Sequence, residues 1–199
     1  MKTKIVIVTA LAFLVTANIF AQDNGISFGA RAGVNFHNLN GKDENGDKLS
    51  NKLIPGFNVG ANVEIPVATD FYVQPGLLFT TKGAKWKTVD VKTTLSYLEI
   101  PINFIYKPVL GDGKLLLGFG PYVAFGVGAS NIEFGSDPSQ IKRFDAGANL
   151  LAGYELSSRL SFQLNAGLGL LNLANRPEGD SKSSIKNTGF GISAGYRFN

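Results

Sequence analysis

Cysteine is absent from this 199-residue chain, tryptophan and histidine occur once each, and the only methionine is Met1. Without cysteine there is no disulfide and no thiolate nucleophile, and a single histidine leaves zinc almost no ligands. The lack of cysteine suits an exported chain that does without disulfides, and it is common in the cytosol as well. Charge is scarce too: 17% of residues are Asp, Glu, Lys or Arg, low for a soluble surface. The formal charge of +4 falls to about +2 if Lys2 and Lys4 leave with the first segment. No Lys/Arg stripe with interleaved aromatics occurs, so a pI of 9.2 does not point to nucleic acid. No phosphate-binding glycine motif leads from a strand into a helix; GFGPYVAFGVGA alternates as a strand does. Beyond residue 21, no apolar run approaches the roughly twenty residues that a membrane helix needs.

The chain has alternation instead. In TTLSYLEIPINFIYK one face reads Leu98, Ile100, Ile102, Phe104, Tyr106 and the other Tyr97, Glu99, Pro101, Asn103. Residues i and i+2 share a face only in a strand. Eight such candidates follow, at 26–36, 56–67, 70–81, 92–106, 114–129, 142–155, 159–173 and 186–198. One side carries residues such as Val34, Phe57, Val59, Phe71, Leu77, Phe79, Leu117, Phe119, Phe162, Leu164, Phe190 and Ile192. The other is mostly glycine, Asn, Gln, Ser and occasional charge. That small, polar face makes a poor core, whereas the apolar face makes a good surface for lipid. The expected fold is therefore all-β, an eight-stranded antiparallel up-and-down transmembrane β-barrel. Pro75, Pro101 and Pro121 each remove a ladder donor, which predicts bulges or local irregularities there.

Connections alternate in length. Those near 37–55, 82–91, 130–141 and 174–185 are long or polar. Those at Ala68-Thr69, at KPVLGDG with its Asp112-Gly113 hairpin signal, and at Leu156-Ser157-Ser158 are short. Outer-membrane barrels pair long external loops with short periplasmic turns, and eight strands put both termini on the periplasmic side. Met1–Ala21 reads as a signal peptide: Lys2 and Lys4, an apolar run from Ile5 to Ala17, and Ala21 before Gln22. Ile19 departs from that pattern, and an anchor helix is the alternative, though the run is short for spanning a bilayer. The barrel domain then covers 22–199.

Arg31, Glu64, Glu99, Asp145 and Arg197 all fall on the inward face. An eight-stranded barrel is just wide enough for side chains to fill, so these five are expected to form a structural polar network. A conduction path or a catalytic pair is the competing reading. His37 is expected in the first outer loop, exposed to solvent, with Asp43, Asp47 and Ser50 nearby but no Ser-His-Asp constellation. KDENGDK faintly resembles a calcium loop, yet Gly46 is at the wrong offset and no Glu closes it. No catalytic, cofactor-binding or metal residue is assigned, and no cofactor is expected. Trp86, Phe36, Phe79, Phe134 and Phe144 would form one interfacial aromatic ring, and Phe71, Tyr106, Tyr154, Tyr196 and Phe198 the other.

FGARAGVNF, FYVQPGLLFTTKG, SYLEIPINFIYK, LLLGFGPYVAFGVGA, FDAGANLLAGYEL and NTGFGISAGYRFN resemble the Bacteroidetes outer-membrane β-barrel family that includes the PorT-like proteins, from about residue 25 to the C-terminus. The resemblance implies a small eight-strand barrel in the cell outer membrane, delivered there by the barrel assembly machinery. It brings no shared catalytic residues, and Phe198 is followed by Asn199 where relatives usually end on an aromatic. PorT itself is linked to secretion of exported proteins. The expected function is a non-enzymatic structural or surface-interaction scaffold. A narrow pore or transport or secretion accessory is one alternative, and a membrane-embedded lipid hydrolase or acyltransferase another. Expected partners are outer-membrane lipid and lipopolysaccharide, the assembly machinery, and a surface or secretion protein; nucleic acid is not among them.

Overall fold

A strand with one greasy and one polar face needs a partner on each side, and the way this chain supplies those partners sets its architecture. The computed structural model describes residues 25–137, 139–175 and 182–198; the segment read as a signal peptide lies outside them. Eight long strands run β1 (Ser27–Lys42), β2 (Ile54–Ala68), β3 (Phe71–Trp86), β4 (Lys92–Tyr106), β5 (Gly113–Ser130), β6 (Phe144–Glu155), β7 (Leu160–Gly169) and β8 (Ser184–Arg197). Two short pieces, Asn51–Lys52 and Val109–Leu110, pair onto β3 and β5. Every long strand is antiparallel to its sequence neighbours. β1 also pairs with β8, from Gly29↔Arg197 to Lys42↔Ser184, so the sheet closes on itself and keeps no free edge.

Inside and outside follow the residue parity. Phe119 (62% exposed) and Leu164 (61%) point away from the bore, whereas Tyr97 and Asp145, at 0%, point into it. Of the five prolines in the long strands, Pro75, Pro101 and Pro121 do not sit at bulges. Register is unchanged through Pro75↔Ile102, Pro101↔Tyr122 and Pro121↔Ala148, with pairing interrupted beside the first two. The register shifts fall instead at Ser96/Tyr97 and Pro66/Ala68.

Strand ends differ from the sequence expectation chiefly at the end bearing the long loops. β1 continues through His37 to Lys42, and β3 through Lys82 to Trp86, while β7 stops at Gly169. Both extensions have polar residues on their outward face, so greasy alternation fades although the backbone ladder continues. β3 passes Gly83 at φ 138°, a conformation that residues with a Cβ rarely adopt. At the opposite end the turns are tight. Gly111 (φ 61°) leads the two-residue turn closed by Leu110↔Gly113, one residue before the expected Asp112-Gly113. Arg159 takes φ 70° in the turn between β6 and β7.

The filling is layered rather than uniformly polar. At the loop end Leu39, Leu95, Tyr97, Ile141 and Leu173 form an apolar cluster, with Trp86 and Phe134 packed against it. These two aromatics therefore turn inward and are not part of a lipid-facing ring. The outer ring on this side is carried by Phe36 stacked on Phe190 (5.5 Å) and Phe57 beside Phe79 (5.7 Å). The ring at the terminal end includes Phe71 on Tyr106 (4.8 Å) and Tyr196 with Phe198. A smaller apolar cluster of Ile105, Leu116 and Leu151, with Tyr72 packed against it, lies in the terminal half of the bore.

Outward assignment of Leu164 carries a test. Leu164→Lys should lose about 2–4 kcal/mol, and Thr188→Lys, near the loop-end interface, about 0–1 kcal/mol, in denaturant titrations of the barrel refolded in bilayers. Equal costs at the two positions would contradict a lipid-facing wall.

Candidate functional site

Because side chains must fill so narrow a bore, charge in it has to be met by charge. In the layer near the termini, Lys107 Nζ lies 2.8 Å from Glu64 Oε2 and 2.7 Å from Glu155 Oε2. Arg197 Nη2 reaches Glu155 Oε1 at 2.8 Å, with Nε 3.2 Å from the same oxygen. These groups come from β2, β6, β8 and the residue just after β4, so the ladder ties distant parts of the wall together. The backbone carbonyl of Asp70 anchors the lysine backbone by accepting its N–H at 2.7 Å.

The second layer centres on Lys82. Its Nζ is 2.8 Å from Glu99 Oε2 and 3.5 Å from Asp145 Oδ2, and it stands 4.2 Å from the Tyr122 ring centre. Asp145 Oδ2 accepts from Tyr122 OH (3.1 Å) and Asn187 Nδ2 (2.9 Å); Glu99 Oε1 accepts from Asn149 Nδ2 (3.1 Å). Arg31 forms no ion pair among the described residues, and its buried Nε has no hydrogen-bond partner among them. Among the described inward side chains, Arg31, Lys82, Lys107 and Arg197 balance Glu64, Glu99, Asp145 and Glu155. A lone charge in such a medium would be very costly, whereas a paired and hydrogen-bonded one is tolerated.

All five residues expected inside do face the bore, and Glu64, Glu99, Asp145 and Arg197 join ion pairs. Arg197 belongs to the terminal layer, and Arg31 stands between the layers, lining both the cavity above and the smaller one beside Glu64, Glu155 and Arg197. Sequence reading missed Lys82, Lys107 and Glu155. Each continues the inward parity of its strand, so counting by twos past the greasy segment would have found all three. His37 likewise continues the inward series of β1 and is buried, not solvated in a loop. Its Nδ1 has no hydrogen-bond partner among the described residues, while Ser50 is exposed.

The space left is small. A cavity of about 60 Å³ is lined by Arg31, Asn35, His37, Lys82, Glu99 and Tyr122 among others, and one of about 20 Å³ lies near Glu64, Glu155 and Arg197. The first has room for about two waters, against the aqueous channel of a wide porin.

Loops close the far end. Asn175 Nδ2 donates to Gly135 O at 2.8 Å and Gln140 O at 3.2 Å, and Lys142 N donates to Leu173 O at 2.8 Å, joining the β5–β6 and β7–β8 connections. Phe134 meets Tyr97 edge-on at 5.7 Å beneath them. In the first loop the Asp43 carboxylate accepts the backbone N–H of Asn45 and of Asp47, both at 2.9 Å, so it organises its own turn. No group of three potential metal-ligating residues gathers among the described residues.

Lys107→Met would leave Glu64 and Glu155 buried without their shared cation. It should cost about 3–5 kcal/mol in refolding titrations, with partial recovery in Lys107→Met/Glu64→Gln. A loss below about 1 kcal/mol would mean that the ladder is not buried as described.

Comparison with known proteins agrees with this geometry. No curated protein sequence matches the chain. Among solved structures it is similar to Neisserial surface protein A, NspA, with a TM-score of 0.51 and 13% identity over 87% of this chain and 97% of that one. It is likewise similar to the outer membrane protein OprG from Pseudomonas aeruginosa, with a TM-score of 0.52 and 14% identity over 87% and 96%. At such identities the likeness is one of fold. Residues 20–175 match the family described as outer membrane protein beta-barrel domain; the molecule is a barrel of the outer membrane, and the chain belongs to that family.

Proposed function

We propose that this barrel is a non-enzymatic scaffold of the cell surface, whose working parts are the connections at its loop end. The observation that carries this reading is the filled bore. Two ion-paired layers and an apolar cluster occupy the interior, while the β5–β6 and β7–β8 connections are tied together above it. Such a molecule spends its interior on rigidity and presents its exterior. Exposed apolar side chains at that end, Leu53, Val89 and Leu170, offer contact points for a protein partner. Export by residues 1–21 as a signal peptide, and insertion through the barrel assembly machinery, belong to the same proposal.

The PorT-like resemblance of QPGLLF, YLEIPI and GPY supports a narrower version, in which the surface partner belongs to a secretion apparatus. A hydrolase would need an activated nucleophile. His37 faces a cavity it shares with Lys82, Glu99 and several asparagines, and among the described residues no serine hydroxyl or carboxylate hydrogen-bonds to its ring.

The purified barrel should give no conductance steps in planar bilayers, and a photocrosslinker at Val89 should recover one defined protein in cells. Solute-dependent conductance by the unmodified barrel would replace the scaffold with a pore. Turnover of lipid esters, lost in His37→Ala, would replace it with an enzyme.

A further inference from the structure

Neighbouring strands bring lysines face to face just beyond the greasy wall. Lys52 stands opposite Lys85, and Lys85 opposite Lys92. Lys87 follows, its backbone N–H donating to Ser50 O at 3.1 Å, which keeps it beside the Asn51–Lys52 piece. Like charges directly opposite on one sheet face weaken the pairing, so by itself this row is a cost to the fold. One carboxylate in the connecting segment offsets it: Asp90 Oδ1 lies 2.7 Å from Lys85 Nζ. The hydrogen bond and charge of Lys85, with Lys52 adding, hold Asp90 below the usual carboxylate range. Four lysines against one acid leave a surplus that nothing else in the segment neutralises.

Where the row points identifies what it meets. Lys92 shares parity with Leu98, and Lys85 with Phe79, both on the outward wall. Between them the register steps from Phe79↔Leu98 through Thr81↔Ser96 and Gly83↔Thr94 to Lys85↔Lys92. Three two-residue steps at about 3.4 Å per residue span roughly 20 Å of strand. With a strand tilt of about 40°, this is about 15 Å above the last apolar row. Side chains facing sideways at that height stand above a phospholipid headgroup layer of about 5–8 Å, level with the phosphate- and carboxylate-bearing sugars that a larger outer-leaflet glycolipid carries there.

We propose that Lys52, Lys85, Lys87 and Lys92 form a docking site for the phosphate and carboxylate groups of the outer leaflet's glycolipid. A bound anion removes the repulsion across the three facing lysines, so the row that weakens the bare barrel strengthens the barrel in its own membrane. The proposal uses the outer-membrane location and is independent of the scaffold reading.

The test uses the full barrel in phosphatidylcholine vesicles with and without purified lipopolysaccharide, read by denaturant midpoint and by retention of labelled lipopolysaccharide. Lys52→Gln/Lys92→Gln keeps the Lys85–Asp90 pair. Lipopolysaccharide should raise the midpoint of the unmodified barrel in a salt-sensitive way, and the double variant should bind it roughly thirtyfold more weakly. In vesicles without lipopolysaccharide the double variant should be at least as stable as the parent, which separates lost docking from lost folding. Equal stabilisation of both proteins, or an undiminished effect of dephosphorylated lipopolysaccharide, would overturn the proposal. So would full replacement by phosphatidylglycerol, or binding of a soluble sulfated polysaccharide with no response to lipopolysaccharide.

Discussion

In hydrocarbon no water is available to satisfy a backbone N–H or carbonyl, so every strand in the membrane must be hydrogen-bonded on both sides. The β1–β8 pairing meets that requirement, and the rest of the molecule adjusts to it. Fourteen residue pairs in continuous register join the two ends of the chain's barrel domain. Closing eight strands fixes the bore at a width that side chains can fill. Outward positions then belong to lipid and inward ones to a narrow core, and the period of two decides which is which at every residue.

That narrow core explains the charge pairs. Large side chains enter where glycine leaves room: Phe134, from the β5–β6 connection, sits where a side chain on Gly126 would otherwise be, and Tyr122 lies against Gly147. Lysine and arginine are long enough to cross the bore, and each layer includes a carboxylate from a strand not adjacent to its cation, although the shortest contact of Lys82 is to Glu99 on neighbouring β4. Glu155 on β6, bridging Lys107 and Arg197, is one such cross-bore tie. The pairs do not need to add net stability to matter. They make wrong registers expensive, because a slip of one residue would send Glu99, between outward-facing Leu98 and Ile100, into lipid.

Beyond the membrane the same strands serve a different end. Once β1, β3 and β4 rise past the aromatic ring, their outward faces turn to hydroxyls, amides and lysines, while inward faces and the loops build an apolar cluster around Tyr97 and Ile141. The protein thus has a lipid-facing middle whose interior holds the ion pairs and a polar-faced collar with an apolar interior. Function is read most readily at that collar, because the middle is committed to holding the wall.

The fold was legible because the period-two signal is strong wherever one face touches lipid: Leu98 to Tyr106 and Phe71 to Phe79 could be read without a partner in view. Its limits were equally physical. His37, Lys82 and Lys107 lie where the outward face stops being greasy or a turn begins, so pattern alone read them as loop although the ladder and the parity run on. The sequence by itself determined the class of wall, the number of strands and the face of nearly every residue, since these depend on local alternation. Only the tertiary structure decided which charges meet, that Trp86 and Phe134 turn inward, and that three lysines stand in a row. Those depend on register between strands far apart in the chain, which closure of the barrel sets.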